Sequence, residues 1–154
     1  MALLYRGMRE ENGKPKIGRS PRLLGVRLGT DIDVEQIPVN CLDEQGYLRS
    51  PVEQINSNER VDIVLRNNKG MSTSLSINAL PAFRKPAEFG GTGKDPLWQI
   101  DDSKIIGDIE AVQDSPTHVS IMPRQTMLLE KYETALANTQ NDWEKVLTPN
   151  SGNI

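Results

Sequence analysis

Hydrophobic residues recur along this chain in short runs that alternate with polar residues or stay apolar for a few positions. Both patterns are typical of β-strands, because a strand turns successive side chains to opposite faces and a fully buried strand is apolar throughout. Glycine and asparagine clusters between the runs predict turns, the clearest at 45–47 and 67–70. The pattern predicts strands at 3–8, 23–34, 61–65, 71–74, 98–101, 105–112 and 117–122. The strand at 23–34 is expected to contain a turn at 29–31.

The most regular element comes last. Large or apolar residues recur at spacings of three and four, the repeat of an amphipathic helix whose apolar stripe docks on a sheet. Thr126 stands where an N-cap would lie, and residues 148–154 are expected to form a tail. The stripe consists of Leu128, Tyr132, Leu136, Thr139, Trp143 and Val146.

A polar segment at 81–96 interrupts these elements with three prolines and three glycines. This composition favours an ordered surface loop over a helix or a strand. We therefore expect the segment to be a loop and a candidate lid.

Composition narrows the class of protein. A chain of 154 residues with 36% hydrophobic residues fits a single domain, expected at 1–147.

The net charge of −3 argues against general nucleic-acid binding. Cys41 is the sole cysteine, which fits a reducing compartment. No run approaches the roughly 20 apolar residues of a membrane span, and the first residues do not form a cleavable signal. A cytoplasmic protein is expected.

The candidate chemistry starts from Arg6, at the end of the first strand, and the hydroxyls of Ser72, Thr73 and Ser74. An arginine can bind a phosphate through a fork of donors, and small hydroxyls can bind a ribose or an amide. A pocket that binds NAD requires such groups. A surface ion pair of Arg6 and an ordinary strand rich in serine and threonine would also explain these residues. One histidine and one cysteine cannot form a structural zinc site, so no metal is expected.

Five separate pieces of the chain resemble one known family in that family's order. They are Leu4-Tyr5-Arg6; Leu24-Gly25-Val26-Arg27 with Asp31-Ile32; Gly70-Met71-Ser72-Thr73-Ser74; His118-Val119-Ser120-Ile121-Met122-Pro123 with Met127; and Trp143. Together they resemble the type VI secretion exported toxins that arrest bacterial growth. The resemblance implies an ADP-ribosyltransferase-like α+β fold, in which two packed antiparallel sheets surround an NAD cleft and a C-terminal amphipathic helix follows.

The resemblance also assigns site residues. Tyr5 and Arg6 take the first-strand position that anchors phosphate or ribose, and Thr73 and Ser74 supply the pocket hydroxyls. Ser72 braces those two hydroxyls and completes the group of cofactor-binding residues.

The late part of the chain departs from better understood transferases. Those enzymes use a glutamate near the last strand to stabilise the positive charge that develops as nicotinamide leaves. Here no Glu-x-Glu precedes the last strand, Glu110 is the nearest counterpart, and His118 occupies the strand itself. Because histidine is largely neutral near pH 7, it can hold a ribose hydroxyl but stabilises a cation poorly. The candidate catalytic residues are therefore His118, Ser74 and Glu110.

Three functions stay open from the sequence. The leading hypothesis is an NAD-dependent toxin that transfers ADP-ribose or hydrolyses NAD, acts in the cytoplasm after delivery by a secretion system, and is neutralised by an immunity protein or antitoxin. The second is a non-catalytic binding module that keeps the fold and acts through a partner. The third is a hydrolase built on His118 that needs no NAD, although no Gly-x-Ser-x-Gly elbow is present.

Overall fold

Antiparallel strands dominate the structure, a computed structural model that describes residues 2–17, 26–49 and 59–147. Every strand ladder in these residues is antiparallel, and one α-helix accompanies them. The elements are β1 Leu3–Gly7, β2 Glu10–Glu11, β3 Lys14–Pro15, β4 Val34–Pro38, β5 Arg60–Val64, β6 Met71–Ser74, β7 Leu97–Asp101, β8 Ile109–Gln113, β9 His118–Pro123, β10 Met127–Leu128, α1 Leu129–Ala137 and β11 Glu144–Lys145. The α+β class that the sequence predicted is confirmed.

The main sheet has six strands in the order β11-β7-β1-β6-β9-β8, and a second sheet has the order β10-β5-β4. A hairpin of β2 and β3 stands apart from both. Strand β1 pairs with β7 along its whole length but meets β6 at a single position, Tyr5 opposite Ser74. The two central strands therefore share little backbone pairing, and side chains must hold them together.

Alternation along the central strands gives the main sheet two different faces. Leu4 and Arg6 point to the inner face, and Tyr5, between them, points to the outer face. The inner face is packed with buried residues from both sheets and from α1, including Val64, Met127 and Tyr132. The core therefore lies between the two sheets and the helix.

The final helix is shorter than its sequence period predicted. The structure ends α1 at Ala137, so Thr139, Trp143 and Val146 lie outside it, and the predicted helix across 128–146 is wrong. The Thr139 hydroxyl donates to the Leu136 carbonyl at 2.6 Å and accepts from Trp143 Nε1 at 3.0 Å. Such local bonds compete with a helical backbone. Trp143 stays buried because the chain turns back toward the sheet.

The predicted N-cap is also wrong. Thr126 Oγ1 accepts from the backbone N–H of Arg66 at 3.0 Å, and Leu128 occupies the N-cap position. The hydroxyl thus joins the end of β5 to the start of β10. A tertiary contact has replaced the expected helix cap.

The strands predicted at 3–8, 61–65, 71–74, 98–101 and 117–122 all form within a residue or two of their expected bounds. The strand expected at 105–112 begins only at Ile109, and the stretch at 23–34 contains a turn followed by β4. Segment 81–96 has two short 3-10 turns and no strand. Residues 23–25 and the tail at 148–154 lie outside the described residues, and the single-domain boundary stays a prediction. No helix among the described residues is long and apolar enough to cross a bilayer.

Candidate functional site

Arg6 is a buried cation in the middle of the main sheet. Its Nη1 donates to the backbone carbonyl of Ser72 at 2.7 Å, which joins β1 to β6 where their backbones do not pair. Burial, together with the nearby charge of Arg84, lowers the pKa of Arg6 to about 10, against the opposing effects of Asp31 and Tyr132. At neutral pH the side chain therefore keeps its charge.

Beside this contact, a chain of hydrogen bonds runs across the outer face. Ser72 Oγ lies 2.7 Å from His118 Nε2, and His118 Nδ1 lies 2.6 Å from Asp114 Oδ1. Ser120 Oγ donates to the other oxygen of Asp114 at 3.1 Å. Because a carboxylate can only accept, the proton of a neutral imidazole belongs on Nδ1, and Nε2 accepts from Ser72. The three side chains thus form an ordered serine, histidine and aspartate relay.

Strand register explains why these residues meet. Ser72 is opposite Ser120, and Ser74 is opposite His118, so all four side chains project from the same face. Asp114 directly follows β8, where the turn into β9 brings its backbone N–H to the His118 carbonyl at 3.1 Å. The relay is therefore built by two paired strands and one hairpin turn.

The relay opens on a small pocket of about 260 Å³. Two carboxylates, Asp31 and Asp114, and one ammonium, Lys69, are the charged groups other than His118 that line it. Lys69 Nζ is 3.2 Å from an oxygen of Asp33, which balances its charge. The remaining lining is polar or glycine: Thr30, Asn68, Gly70, Ser72 and Ser120. The pocket is polar and acidic rather than apolar.

Thr73 and Ser74 do not open on this pocket, contrary to the arrangement expected from the sequence. Thr73 points to the inner face and donates to the Val119 carbonyl at 2.8 Å. The Ser74 hydroxyl is buried against the carbonyls of Ser76 and Thr117, at 2.7 and 3.2 Å. Alternation and backbone bonding thus make these two residues the braces and leave Ser72, the expected brace, facing the pocket.

Glu110 is also apart from the other candidates. It lies on β8 opposite Met122, with β9 between it and Ser72. Its carboxylate binds Arg66 Nη2 at 2.7 Å and Arg124 Nη1 at 3.4 Å. The structure therefore brings His118 and Ser72 together and leaves Glu110 in a separate ion-pair cluster.

Tyr5 faces a second cleft, of about 620 Å³, on the outer side of β1. Glu88 and Phe89 from segment 81–96 line its far side. The same segment packs on Gly7, where an added Cβ would lie 2.5 Å from the carbonyl oxygen of Arg84. Segment 81–96 therefore covers the end of β1, and its role as a lid stays a prediction.

A larger cavity, of about 840 Å³, lies elsewhere. It runs along α1 beside Leu128 and Lys131 and shares no lining residue with the Ser72 pocket. This cavity is larger than the Ser72 pocket, but none of the residues that carry the family resemblance line it. We therefore place the candidate site at Ser72 and His118 on chemical grounds.

Sequence reasoning missed Asp114 as the partner of His118, and it missed Ser120 as a second partner of Asp114. The signal for Asp114 was weak, because an aspartate four residues before a histidine becomes informative only when a tight turn is known to lie between them. Ser120 was part of the quoted motif but had no assigned role. Its position two residues after His118 places it on the same strand face.

Comparison with known proteins points to one family. Searches among curated proteins and among solved structures gave no match. A family model described as Tse2 ADP-ribosyltransferase toxin matches residues 2–144, which include the strands carrying Arg6, Ser72 and His118. The match covers most of the chain and confirms the family resemblance that the sequence motifs indicated. The chain therefore belongs to the Tse2 ADP-ribosyltransferase toxin family.

Proposed function

We propose that this protein is a toxin that uses NAD as its substrate, breaks the bond between nicotinamide and ribose, and transfers ADP-ribose to a cellular target or to water. Membership in an ADP-ribosyltransferase toxin family supports the reaction class. The two sheets that pack around one core agree with the proposed transferase-like fold, with the cleft on the outer side of β1 and β6.

The observation that carries the proposal is the relay of Ser72, His118 and Asp114 beside the buried Arg6. As nicotinamide leaves, positive charge develops on the ribose carbon, and nearby carboxylates stabilise it. Asp31 and Asp114 line the pocket and can supply that field. The hydroxyl of Ser72 and the imidazole of His118 are within reach of the same space and can bind ribose hydroxyls.

The proposed residue roles differ from those expected from the sequence. Ser72, His118 and Asp114 are the groups that would contact the nicotinamide ribose. Arg6 fixes the edge of β6 and supplies a buried positive charge, and its contact with a phosphate stays a prediction. Tyr5 and the cleft beneath segment 81–96 are the proposed place for the rest of the dinucleotide.

Nicotinamide release from NAD by the purified chain tests the proposal. We expect Asp114→Asn to lower the release rate on the order of a hundredfold, because a stabilising charge and the orientation of His118 are both lost. Asp62→Asn is the matched control, since Asp62 is exposed on β5 and lines neither the Ser72 pocket nor the Tyr5 cleft. No release by the folded wild-type chain, in the presence of a cell lysate as acceptor, would contradict the proposal.

We also propose the biological setting that the resemblance implies. Expression inside bacteria should arrest growth, and a cognate immunity protein should restore it by binding the toxin. Delivery into the cytoplasm of a target cell by a secretion system belongs to the same proposal. Co-expression with the open reading frames that neighbour the gene tests it, because rescue by one of them identifies the partner.

One observation favours a second function, that of a non-catalytic module acting through a partner. Glu110, the nearest counterpart of the usual catalytic glutamate, is bound by Arg66 and Arg124 rather than directed to the pocket. The same assay separates the two functions. Growth arrest without nicotinamide release would favour the binding module.

A further inference from the structure

The Ser72 hydroxyl has the surroundings of an activated nucleophile. Asp114 holds the Nδ1–H of His118, so that Nε2 can take the proton of Ser72 across a distance of 2.7 Å. Ser120 fixes the second oxygen of Asp114 and therefore the orientation of the relay. A base oriented by a carboxylate and directed at a hydroxyl is the arrangement by which proteins make serine reactive.

The pocket lining indicates which kind of carbon Ser72 could attack. Acyl transfer creates an oxyanion and needs hydrogen-bond donors or positive charge around it. Here Asp31 and Asp114 face the pocket, and the two nearby cations are each bound to a carboxylate, Lys69 to Asp33 and the exposed Arg27 to Asp31 at 3.4 Å. The acidic surroundings disfavour an oxyanion and favour a carbon that gains positive charge, as the ribose C1′ of NAD does when nicotinamide leaves.

Within β6, Ser72 is the hydroxyl placed for such an attack. Thr73 and Ser74 direct their hydroxyls to backbone carbonyls and are buried. Ser72 is only partly buried and lines the pocket. Alternation turns Thr73 to the inner face, and backbone bonding occupies Ser74, which shares the face of Ser72, so Ser72 is the hydroxyl of β6 that stays available to the pocket.

We propose that Ser72 is an acceptor of ADP-ribose, so that the protein modifies itself, an inference that rests on the proposed use of NAD. The bond between ribose C1′ and the nicotinamide nitrogen breaks, and its electron pair leaves with neutral nicotinamide. The bond between Ser72 Oγ and C1′ forms, and the hydroxyl proton moves to His118 Nε2 and then to solvent. No oxidant or reductant is needed.

Peptide mapping by mass spectrometry tests this proposal on the full chain. The purified protein is incubated with NAD, or with free ADP-ribose as a control for non-enzymatic attachment to amines, and nicotinamide is measured in the same samples. We expect ADP-ribose on Ser72 with NAD and an unmodified Ser72 with free ADP-ribose.

The outcomes separate this proposal from the proposed function. Nicotinamide release with an unmodified Ser72, or with ADP-ribose only on other residues, overturns self-modification and leaves NAD cleavage intact. Absence of nicotinamide release overturns both.

A variant of His118 tests the role of the base. His118→Ala should lower the rate of Ser72 modification on the order of a hundredfold. Free imidazole can enter the space left by the ring and should restore part of the rate, which a purely structural role of His118 would not produce. Unchanged modification of Ser72 in this variant would overturn the relay as its activator, and mapping of the wild-type chain decides the acceptor even if the variant fails to fold.

Discussion

The two faces of the main sheet use hydrogen bonds in different ways. On the inner face, the hydroxyls of Thr73 and Tyr132 donate to backbone carbonyls, at 2.8 and 2.7 Å. Around the outer pocket, Ser72, His118 and Asp114 bond to one another through their side chains. The inner set, from β6 and α1, is buried, whereas the outer set, from β6, β9 and the turn between β8 and β9, meets solvent.

This difference separates stability from chemistry. A side chain that satisfies a buried backbone group cannot be removed without leaving that group unpaired, which is costly. A side chain in a half-exposed relay can exchange its partner for a ligand or water at little cost to the fold. Inner-face changes should therefore act on the free energy of unfolding, and outer-face changes on the reaction.

The largest effect on stability is expected from Gly70→Ala, at the entry to β6. A Cβ at this position would lie 2.3 Å from the carbonyl oxygen of Ile121, so β6 and β9 would have to separate. We expect a loss of about 3 kcal/mol in the free energy of unfolding, measured in urea. Gly13→Asn is the control, since nothing lies within 4 Å there and asparagine tolerates its positive φ. Equal stability of the two variants would contradict the close approach.

His118→Ala should mainly lower the reaction rate and affect stability little, the opposite of Gly70→Ala. We expect nicotinamide release to fall on the order of a hundredfold, about 2.7 kcal/mol of activation free energy, with less than about 1 kcal/mol lost from folding. Thr134→Ala serves as the control because Thr134 lines the cavity along α1 instead. If His118→Ala kept the wild-type rate of nicotinamide release, or if Thr134→Ala lost it, the outer pocket would not be the site of the reaction.

Tyr132→Phe removes a single buried oxygen atom and so tests the hydrogen bonds of the inner face. The Tyr132 hydroxyl accepts from the Met71 N–H at 3.2 Å and donates to the Ile121 carbonyl, and burial raises the pKa of the phenol. Its removal leaves both backbone groups unpaired, so we expect a loss of about 2 kcal/mol. Tyr5→Phe, on the outer face, should change thermal stability little, and a similar loss from both variants would contradict the two-face distinction.

Glu110→Gln should have a modest effect. Its ion pairs with Arg66 and Arg124 are partly exposed, so we expect less than about 1 kcal/mol of stability to be lost, and less still in high salt. Nicotinamide release should stay within about threefold of the wild-type rate, since a factor of three is below 1 kcal/mol. A folded variant that has lost the reaction would identify Glu110 as the missing catalytic acid.

The smallest effect is expected from Glu133, a buried acid on α1. Burial, with help from the charges of Glu130 and Asp62, raises the pKa of this carboxyl above its unfolded value. The folded state therefore binds the proton more tightly, and this contribution to stability is lost as pH rises through the raised pKa. Glu133→Gln should flatten the change in thermal stability above pH 4 and slightly stabilise the protein at pH 7. An unaltered pH profile would contradict the raised pKa.

Local patterns were sufficient for most of the strands. The alternation at 117–122 and the apolar run at 3–8 predicted β9 and β1, because burial on one face or both leaves a periodic trace. The same kind of reasoning failed at the last helix. The spacing of Trp143 and Val146 continued the helical period, although Thr139 bonds locally and the chain turns into β11. A period records which residues are buried and not which element buries them.

The candidate site was predicted in its members and not in its arrangement. Ser72 meets His118 on the outer face, and Arg6 reaches the Ser72 backbone carbonyl from the inner face, whereas the pocket hydroxyls that the resemblance assigned to Thr73 and Ser74 bond backbone carbonyls instead. Asp114 was missed because its contact with His118 depends on a turn. The catalytic role of Glu110 stays a prediction, and its ion pairs with Arg66 and Arg124 could not be foreseen because these partners are not its neighbours in the sequence. Side-chain partners far apart in sequence leave no local signal.

The sequence by itself determined the α+β class, the positions of most strands along the chain and membership in the toxin family, because these depend on periodicity and motif order. Only the tertiary structure decided that Ser72, rather than Thr73 or Ser74, faces the pocket. Alternation makes neighbouring hydroxyls differ, but which face is covered depends on the second sheet, the helix and the turn at 115–117, which pack from elsewhere in the chain.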